Sequence, residues 1–250
     1  MINYKNKYKE KYKKILFIPG WGVTNEIWET FASELFYIDR CVFIDIYEEV
    51  KALDGDINLI AKKVINEHKN IDLIISWSLG CFLAKEIESL SSSNVRKMIY
   101  IAYTPRFLKT PSWDFGFNKN AIDKLRHDLE KDQEKALKNF YLLILGSYKH
   151  KKIFYKEIIK NIKSMMKIDL QKLNMTLDLL ENHICKTSFK KKQNNNLYIY
   201  GEEDAITSSD IANFIDENES FSNIVTIPKS SHAPFLTNKK EFKKILIENI

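Results

Sequence analysis

The stretch IDLIISWSLG, residues 71–80, decides the fold of this chain. It begins as a short and almost entirely apolar run at 71–76, and it passes through Ser78 directly into a helical pattern at 79–90. An apolar run without polar alternation is typical of a strand that is covered on both faces, as in a parallel sheet with flanking helices. The sequence therefore predicts that Ser78 lies at a strand-to-helix turn, where small neighbours allow a strained backbone that presents the hydroxyl.

Five other apolar runs of the same kind recur along the chain. They are residues 15–18 (ILFI), 41–46 (CVFIDI), 97–102 (KMIYIA), 197–200 (LYIY) and 224–227 (IVTI). Further helical patterns, at residues 56–68, 209–216 and 238–250, lie among these runs. Because crossover connections require strands and helices to alternate, we predict an α/β fold with a mostly parallel sheet flanked by helices.

The alternation stops between Thr104 and Gln193, where no convincing strand occurs. Three helical patterns replace it, at residues 121–145, 153–166 and 170–183, and the chain returns through a polar linker at 190–196. We predict a core of residues 1–105 and 193–250 that is interrupted by a helical lid insert at 106–192.

The composition excludes several classes of protein. Of the 250 residues, 44% are hydrophobic and 29% are charged, which suits a globular core and does not suit a disordered or collagenous chain. Three widely spaced cysteines, Cys41, Cys81 and Cys185, argue against a disulfide framework and a structural zinc site. No apolar run of membrane-spanning length occurs, and residues 1–14 alternate Lys and Tyr, so we expect neither export nor a membrane span. We expect a cytoplasmic monomer that needs no metal or cofactor.

Two loops after later strands carry the partners that a serine nucleophile needs. A serine hydroxyl attacks efficiently only when a base takes its proton and an acid orients that base. Asp204 and His232 follow the fifth and sixth apolar runs, so the chain order is Ser, Asp, His. Because the carboxyl ends of parallel strands share one edge of a sheet, we predict a catalytic triad of Ser78, Asp204 and His232, with Glu203 as the rival acid.

A glycine-rich turn, Pro19-Gly20-Trp21-Gly22, follows the first apolar run. Glycines let the backbone approach a substrate closely. We predict that the backbone amides of Trp21 and Leu79 form a two-donor oxyanion hole. Taken alone, each motif has a plainer alternative: a simple turn, a solvated histidine or a loop acid. The occurrence of four motifs in the order that serine hydrolysis needs favours the enzyme.

These motifs resemble the α/β-hydrolase superfamily and, within it, the pimeloyl-[acyl-carrier protein] methyl ester esterases of biotin synthesis. The resemblance rests on Gly20-Trp21-Gly22 with Trp28 behind it, Trp77-Ser78-Leu79-Gly80, Gly201-Glu202-Glu203-Asp204 and His232-Ala233-Pro234-Phe235. It implies a serine carboxylesterase that hydrolyses the methyl ester of pimeloyl-[acyl-carrier protein] without a cofactor. It also implies that Trp21 and Phe140 contact the substrate.

Three residues depart from the pattern of that family. Pro19 stands where the family usually has His, and Ser76 and Cys81 stand where it has glycines. Because these positions lie beside the predicted nucleophile and oxyanion hole, the departures raise a question about the fine geometry of the site. They do not change the reaction class that the resemblance implies.

The insert is strongly basic. Residues 106–192 contain 20 basic and 10 acidic residues, a net charge of +10, so the remainder of the chain carries −4. In the family, basic residues of this lid meet the acidic acyl carrier protein. The resemblance implies that role for five lysines, Lys135, Lys138, Lys149, Lys151 and Lys152. Because 35 of the 39 basic residues are lysines, a merely solvated lysine-rich face is an open alternative.

Three other functions stay open at this point. The first is an esterase or thioesterase for another small acyl substrate, because a triad does not encode acyl length. The second is a non-catalytic binding protein with a hydrolase fold, against which the intact triad counts. The third and weakest is nucleic-acid binding, because the aromatic residues of the insert have a helical spacing that favours packing. We expect neither nucleic acid nor a membrane as a partner.

Overall fold

The computed structural model describes residues 11–90, 95–146, 163–185, 196–218 and 223–250. Its strands are β1 (Ile15–Ile18), β2 (Cys41–Phe43), β3 (Leu73–Trp77), β4 (Lys97–Ile101), β5 (Leu197–Gly201) and β6 (Asn223–Ile227). They form one six-stranded sheet in the order β2-β1-β3-β4-β5-β6, and each neighbouring pair is parallel. All six apolar runs therefore contribute strands, and the predicted fold class is confirmed.

Burial along the strands follows their place in the sheet. The four inner strands, β1, β3, β4 and β5, are buried at every residue, whereas the edge strands β2 and β6 are partly exposed. An inner strand of a parallel sheet has helices over both faces and a neighbour on each side, which explains its uninterrupted apolar sequence.

Helices connect the strands. Before the insert they are α1 (Glu26–Leu35), α2 (Ile46–Ala52), α3 (Ile57–Glu67) and α4 (Leu79–Leu90). After β4 come α5 (Lys119–Lys131), α6 (Gln133–Ile144) and α7 (Leu170–Asn182). The last part of the core carries α8 (Ile211–Asn218), α9 (Pro234–Thr237) and α10 (Lys239–Asn249). Among the described residues, none of the helices has the length and apolar character to cross a membrane.

The predicted strand at 41–46 is wrong over its last three residues, because a helix cap ends it. β2 stops at Phe43, and the side chain of Asp45 accepts hydrogen bonds from the amides of Tyr47 at 3.1 Å and Glu48 at 3.2 Å. These two bonds satisfy amides that have no partner within a first helical turn, so α2 begins at Ile46. The sequence patterns had indicated neither α2 nor α1.

The insert also differs from its predicted pattern. Residues 121–145 form two helices because Asp132 leaves the helical conformation, at φ −160°, and its side chain caps α6 by accepting from the Lys135 amide at 3.0 Å. Most of the predicted helix at 153–166 lies outside the described residues. In the described part between β4 and β5, helices and isolated β-bridges occur but no strand. α7 packs on α2, so the insert rests on the core.

Candidate active site

Ser78 lies between β3 and α4 in a left-handed backbone conformation, with φ of +51°. Its amide donates to the carbonyl of Ile101 at 2.9 Å, and its own carbonyl accepts from the Cys81 amide at 2.9 Å. A residue other than glycine rarely adopts a positive φ, and strain of this kind persists only when the surroundings enforce it. The turn has the strained conformation that the sequence predicts for a nucleophile.

Close packing of glycines holds this turn against the end of β1. A β-carbon at Gly80 would lie 2.6 Å from the carbonyl oxygens of both Ile18 and Pro19, so only glycine fits there. A β-carbon at Gly20 would lie 3.2 Å from the β-carbon of Ser78. The glycine-rich turn after β1 and the Ser78 turn are therefore direct neighbours.

The structure accommodates two of the residues that depart from the family pattern, Ser76 and Cys81. Ser76 is buried, and its hydroxyl donates to the carbonyl of Ile99 on β4 at 3.1 Å. Cys81 is buried as well, and burial raises the pKa of its thiol to about 12. A thiol that stays protonated is a poor nucleophile, so Cys81 does not compete with Ser78.

The base and acid of the predicted triad meet. His232 Nδ1 lies 2.8 Å from Asp204 Oδ2, and the two side chains are 2% and 0% exposed. The other carboxylate oxygen of Asp204 accepts from the amides of Ile206 at 2.8 Å and Thr207 at 2.9 Å. Three hydrogen bonds thus fix the carboxylate. The Nδ1 proton of a neutral imidazole would point at it, which leaves Nε2 able to accept a proton.

Glu203, the rival acid, lies elsewhere. Its side chain is exposed, and its amide donates to the carbonyl of Ser230 at 2.7 Å. Since Asp204 holds the contact with His232, the structure brings Asp204 and not Glu203 to the base.

The His232 loop is tied to the nucleophile turn through Trp77. The indole Nε1 of Trp77 donates to the carbonyl of His232 at 2.8 Å, and the centres of the two rings lie 5.5 Å apart. Trp77 immediately precedes Ser78 and is completely buried. The base therefore lies beside the turn that carries the predicted nucleophile.

The buried Thr237 also contacts the loop that carries the base. The hydroxyl of Thr237 accepts from the Ser231 amide at 3.1 Å and donates to the Ala233 carbonyl at 3.1 Å. These groups stand immediately before and after His232 in the chain. Thr237 therefore fixes the backbone on both sides of the imidazole.

The two predicted oxyanion donors lie among amides that are already engaged. The Gly22 amide donates to Tyr47 Oη at 2.8 Å, and the Ser78 amide is bonded to β4 as described above. Within the described part of the chain, no hydrogen bond is seen from the amide of Trp21 or of Leu79. Neither amide therefore has a competing partner there, and their role as oxyanion donors stays a prediction.

The side chain of Trp21 lies between the core and the insert. It is 2% exposed, its Nε1 donates to the carbonyl of Leu173 on α7 at 3.2 Å, and the edge of the Phe140 ring packs on it with centres 4.8 Å apart. The structure thus brings the two predicted substrate-contacting residues together. Their contact with a substrate stays a prediction.

Two of the five predicted docking lysines lie within the described residues. Lys135 is exposed on α6, whereas Lys138 forms an ion pair with Glu134 at 2.5 Å. Three of the five, Lys149, Lys151 and Lys152, lie outside the described residues. Of the net +10 of the insert, +8 comes from residues 147–162 and 186–192, which lie outside them as well.

Several contacts that shape the site could not be read from the sequence. Trp77 was part of a recognised motif, but nothing in that motif indicated its bond to the His232 loop, which joins residues far apart in the chain. Tyr47, Tyr141 and Thr237 each donate or accept through one hydroxyl, which no local pattern distinguishes from an ordinary buried side chain. Among the described residues, no group of three or more His, Cys, Asp or Glu is placed to hold a metal ion.

Known proteins resemble this chain over almost its whole length. No family model matches the chain. It is similar to the pimeloyl-[acyl-carrier protein] methyl ester esterase of Pseudoalteromonas atlantica, with 24% identity over 240 residues that cover 94% of this chain and 93% of that protein. It is similar also to the esterase of the same name from Wigglesworthia glossinidia brevipalpis, with 27% identity over 93% of this chain and 91% of that protein.

Solved structures show the same fold. An esterase from Exiguobacterium antarcticum matches with a TM-score of 0.76 and 18% identity, covering 94% of this chain and 91% of its own. A bromoperoxidase from Bacillus anthracis matches with a TM-score of 0.79 and 14% identity over the same shares. The chain has the α/β-hydrolase fold and resembles the pimeloyl-[acyl-carrier protein] methyl ester esterases, as its motifs indicated.

Proposed function

We propose that this chain is a serine carboxylesterase. The observation that carries the proposal is the buried 2.8 Å contact between His232 Nδ1 and Asp204 Oδ2, in a loop that Trp77 ties to the strained Ser78 turn. Nucleophilic ester hydrolysis requires an oriented imidazole beside the serine that attacks. The resemblance to esterases over almost the whole chain supports the same reaction.

In the proposed mechanism, Ser78 Oγ attacks the ester carbonyl carbon while His232 Nε2 takes the hydroxyl proton. The tetrahedral intermediate then collapses, the bond to the alkoxy oxygen breaks, and His232 returns its proton to the leaving alcohol. Water attacks the resulting acyl-Ser78 with His232 as base, which releases the carboxylic acid and restores the serine. Asp204 keeps the imidazole in the required tautomer and stabilises its cationic form.

The negative charge of the intermediate falls on the former carbonyl oxygen. We assign its stabilisation to the amides of Trp21 and Leu79, whose neighbours in the chain are already engaged. Donors fixed before the reaction stabilise developing charge without having to reorganise, and loss of one such donor typically costs about 10²–10³ in rate.

For the substrate we propose the methyl ester of a pimeloyl chain on acyl carrier protein, with methanol as the alcohol released. Curated relatives with this name support the assignment. The basic character of the insert also supports it, because an acyl carrier protein is acidic and complementary charge favours encounter. The division into a core and a lid insert at 106–192 belongs to the same proposal.

The direct test is hydrolysis of methyl pimeloyl-[acyl-carrier protein] by the purified full-length chain, followed by methanol release. We expect turnover by the wild type and none by Ser78→Ala. Hydrolysis of small p-nitrophenyl esters without hydrolysis of the carrier-bound ester would instead support an esterase for another small acyl substrate. Failure to hydrolyse either ester would support a non-catalytic binding protein.

Charge reversal tests whether the insert docks the carrier. We expect the triple variant Lys149→Glu, Lys151→Glu, Lys152→Glu to lower kcat/KM for the carrier-bound ester several-fold and to leave a p-nitrophenyl ester unchanged. Since attraction between exposed charges is screened beyond about 8 Å at physiological ionic strength, added salt should have the same selective effect. A matched control reverses three exposed lysines elsewhere, Lys62, Lys69 and Lys240. Equal losses in both triple variants would contradict a docking role.

A further inference from the structure

The residue after the proposed oxyanion donor Trp21 is held at both ends by tyrosine hydroxyls. The Gly22 amide donates to Tyr47 Oη at 2.8 Å, and the Gly22 carbonyl accepts from Tyr141 Oη at 2.6 Å. Both tyrosines are 2% exposed. Tyr47 stands at the start of α2 in the core, whereas Tyr141 belongs to α6 in the insert.

The insert makes further contacts with this turn. The residue before Tyr141 is Phe140, whose ring packs edge-on against Trp21, and the carbonyl of Leu173 on α7 accepts from the Trp21 indole. At the end of α6, a β-carbon on Gly146 would lie 3.3 Å from the carbonyl of Glu203 and 3.4 Å from the β-carbon of Ser231. The insert thus contacts the oxyanion turn and also the loops that carry the acid and the base.

The turn itself has little intrinsic rigidity. Gly22 has φ of +80°, a conformation that glycine adopts and leaves at little cost. A β-carbon there would also lie 3.1 Å from the Phe140 ring, so the space against the insert is closed. The backbone at Gly22 is therefore oriented by its partners: Tyr47 holds the Trp21–Gly22 peptide through its N–H, and Tyr141 holds the next peptide through the Gly22 carbonyl. Two of the groups that fix this turn, the Tyr141 hydroxyl and the Leu173 carbonyl that accepts from the Trp21 indole, belong to the insert.

Both tyrosine hydroxyls keep their protons at neutral pH. Burial raises the pKa of Tyr47 and that of Tyr141 above the ordinary value of a phenol. Each therefore remains a neutral hydrogen-bonding group: Tyr47 accepts from the Gly22 amide, and Tyr141 donates to the Gly22 carbonyl.

We propose that Tyr141 and Tyr47 are positioning residues: by fixing the N–H and the carbonyl of Gly22, they hold the backbone immediately after Trp21 and so orient the Trp21 N–H toward an oxyanion. The oxyanion hole is then complete only while α6 is seated on the core, so seating of the insert and completion of the hole are one event. This inference rests on the proposed esterase function. It differs from a lid that merely covers the substrate, because the insert also sets the geometry of a catalytic turn in the core.

The test compares Tyr141→Phe and Tyr47→Phe with a matched control, Tyr100→Phe. The control also removes one buried hydroxyl, which donates to Glu88 Oε2 at 2.8 Å away from this turn. The readouts are kcat and KM for p-nitrophenyl butyrate and the inhibition constant of butylboronic acid, which forms a tetrahedral adduct with an active serine. Ser78→Ala is measured alongside.

Loss of one buried hydrogen bond to the turn should lower kcat about tenfold in either variant, with KM within about twofold. The inhibition constant of the boronic acid should rise by a similar factor, because an oxyanion hole acts on tetrahedral species and not on the ground state. The double variant should lose less than the product of the two single losses, because both hydroxyls hold one residue. The Tyr100→Phe control should keep the kcat and inhibition constant of the wild type.

Besides unchanged kinetics in the tyrosine variants, two results would overturn the positioning role. One is a change in KM alone, which would make Tyr141 a substrate contact. The other is an equal loss of kcat in the Tyr100→Phe control, which would make the effect one of general stability. If Ser78→Ala is inactive while both tyrosine variants keep the wild-type kcat and inhibition constant, only the positioning proposal fails. If Ser78→Ala retains the wild-type rate, the esterase proposal itself fails.

Discussion

The turn that carries Ser78 and the turn that carries Trp21 are direct neighbours, yet they are held in different ways. Backbone contacts within the core fix the Ser78 turn, with Gly80 pressed against the carbonyls at the end of β1. Side chains fix the Trp21 turn, and one of these, Tyr141, comes from the insert. The proposed nucleophile is therefore positioned by the core alone, whereas the proposed oxyanion donor depends on how the insert is seated.

This contrast separates what the fold provides from what the insert provides. Residues of the core alone bring His232, Asp204 and the Ser78 turn together. On this account, changes in the core abolish the reaction, whereas changes in the insert weaken transition-state stabilisation or substrate encounter. Substitutions in each region test that division.

Removal of the nucleophile or the base should have the largest effect. We expect Ser78→Ala and His232→Ala each to lower kcat by roughly 10⁵- to 10⁶-fold, with the double variant little worse than either single one, because the two residues act as a unit. Steady-state hydrolysis of a p-nitrophenyl ester measures this. Fully additive losses would mean that the two residues do not share one mechanism.

Substitution of the acid should have the second largest effect on kcat. Asp204→Asn should lower kcat by about 10⁴-fold, because an amide no longer holds the imidazole in the required tautomer. The adjacent Glu203→Gln is the matched control, and its exposed side chain should leave kcat within about twofold. If the control proves more damaging than Asp204→Asn, the assignment of the acid is wrong.

Substitution of one glycine in each turn by alanine, at Gly80 and at Gly22, should have different effects on stability and on kcat. At Gly80, a β-carbon meets two backbone carbonyls at 2.6 Å, so Gly80→Ala should lower the free energy of unfolding by about 3 kcal/mol. At Gly22, alanine would have to adopt a positive φ, and its β-carbon would meet only the Phe140 ring. Gly22→Ala should therefore lower the free energy of unfolding by about 1 kcal/mol, and it should also lower kcat. Urea unfolding and kinetics measure both. Equal losses of stability would remove the contrast between the turns.

A pH-dependent effect on stability should come from the far end of α4, where Glu88 accepts from Tyr100 at 2.8 Å and Asn196 at 2.7 Å and pairs with Lys85 at 3.2 Å. Burial alone would raise the pKa of Glu88, but the Lys85 ammonium and these hydrogen bonds outweigh it, so the pKa is lowered. A carboxylate of lowered pKa stabilises the fold above its unfolded pKa, about 4.3, and this contribution is lost as pH falls through the folded pKa.

Glu88→Gln should therefore lower Tm clearly at pH 7, and the difference from the wild type should narrow as pH falls through 4 and below. The exposed Glu29→Gln serves as a control, with little effect at any pH. A difference in Tm that stays constant across this range would argue that Glu88 does not titrate with a lowered pKa.

The sequence predicted the core well because its signals are local. Six short apolar runs indicated six strands, and three loops after those strands indicated Ser78, Asp204 and His232. What the sequence missed depends on contacts between distant residues. The end of β2 was wrong because one side chain, Asp45, caps a helix that the apolar run concealed.

The oxyanion turn shows the same limit more clearly. Its glycines were visible, but one of the two hydroxyls that hold Gly22 belongs to Tyr141, 119 residues further along the chain. Nothing in the periodicity of α6 separates Tyr141 from another buried aromatic residue. Such contacts become visible only when the insert is seen seated on the core.

Covalent labelling tests the central claim, that Ser78 is an activated nucleophile, most directly. A fluorophosphonate reacts with a serine that an adjacent base activates, and the intact mass and peptide map locate the adduct. We predict one adduct on Ser78 in the wild type, none in Ser78→Ala, and labelling at least 100-fold slower in His232→Ala. An adduct on another residue, or wild-type labelling that does not depend on His232, would contradict the account.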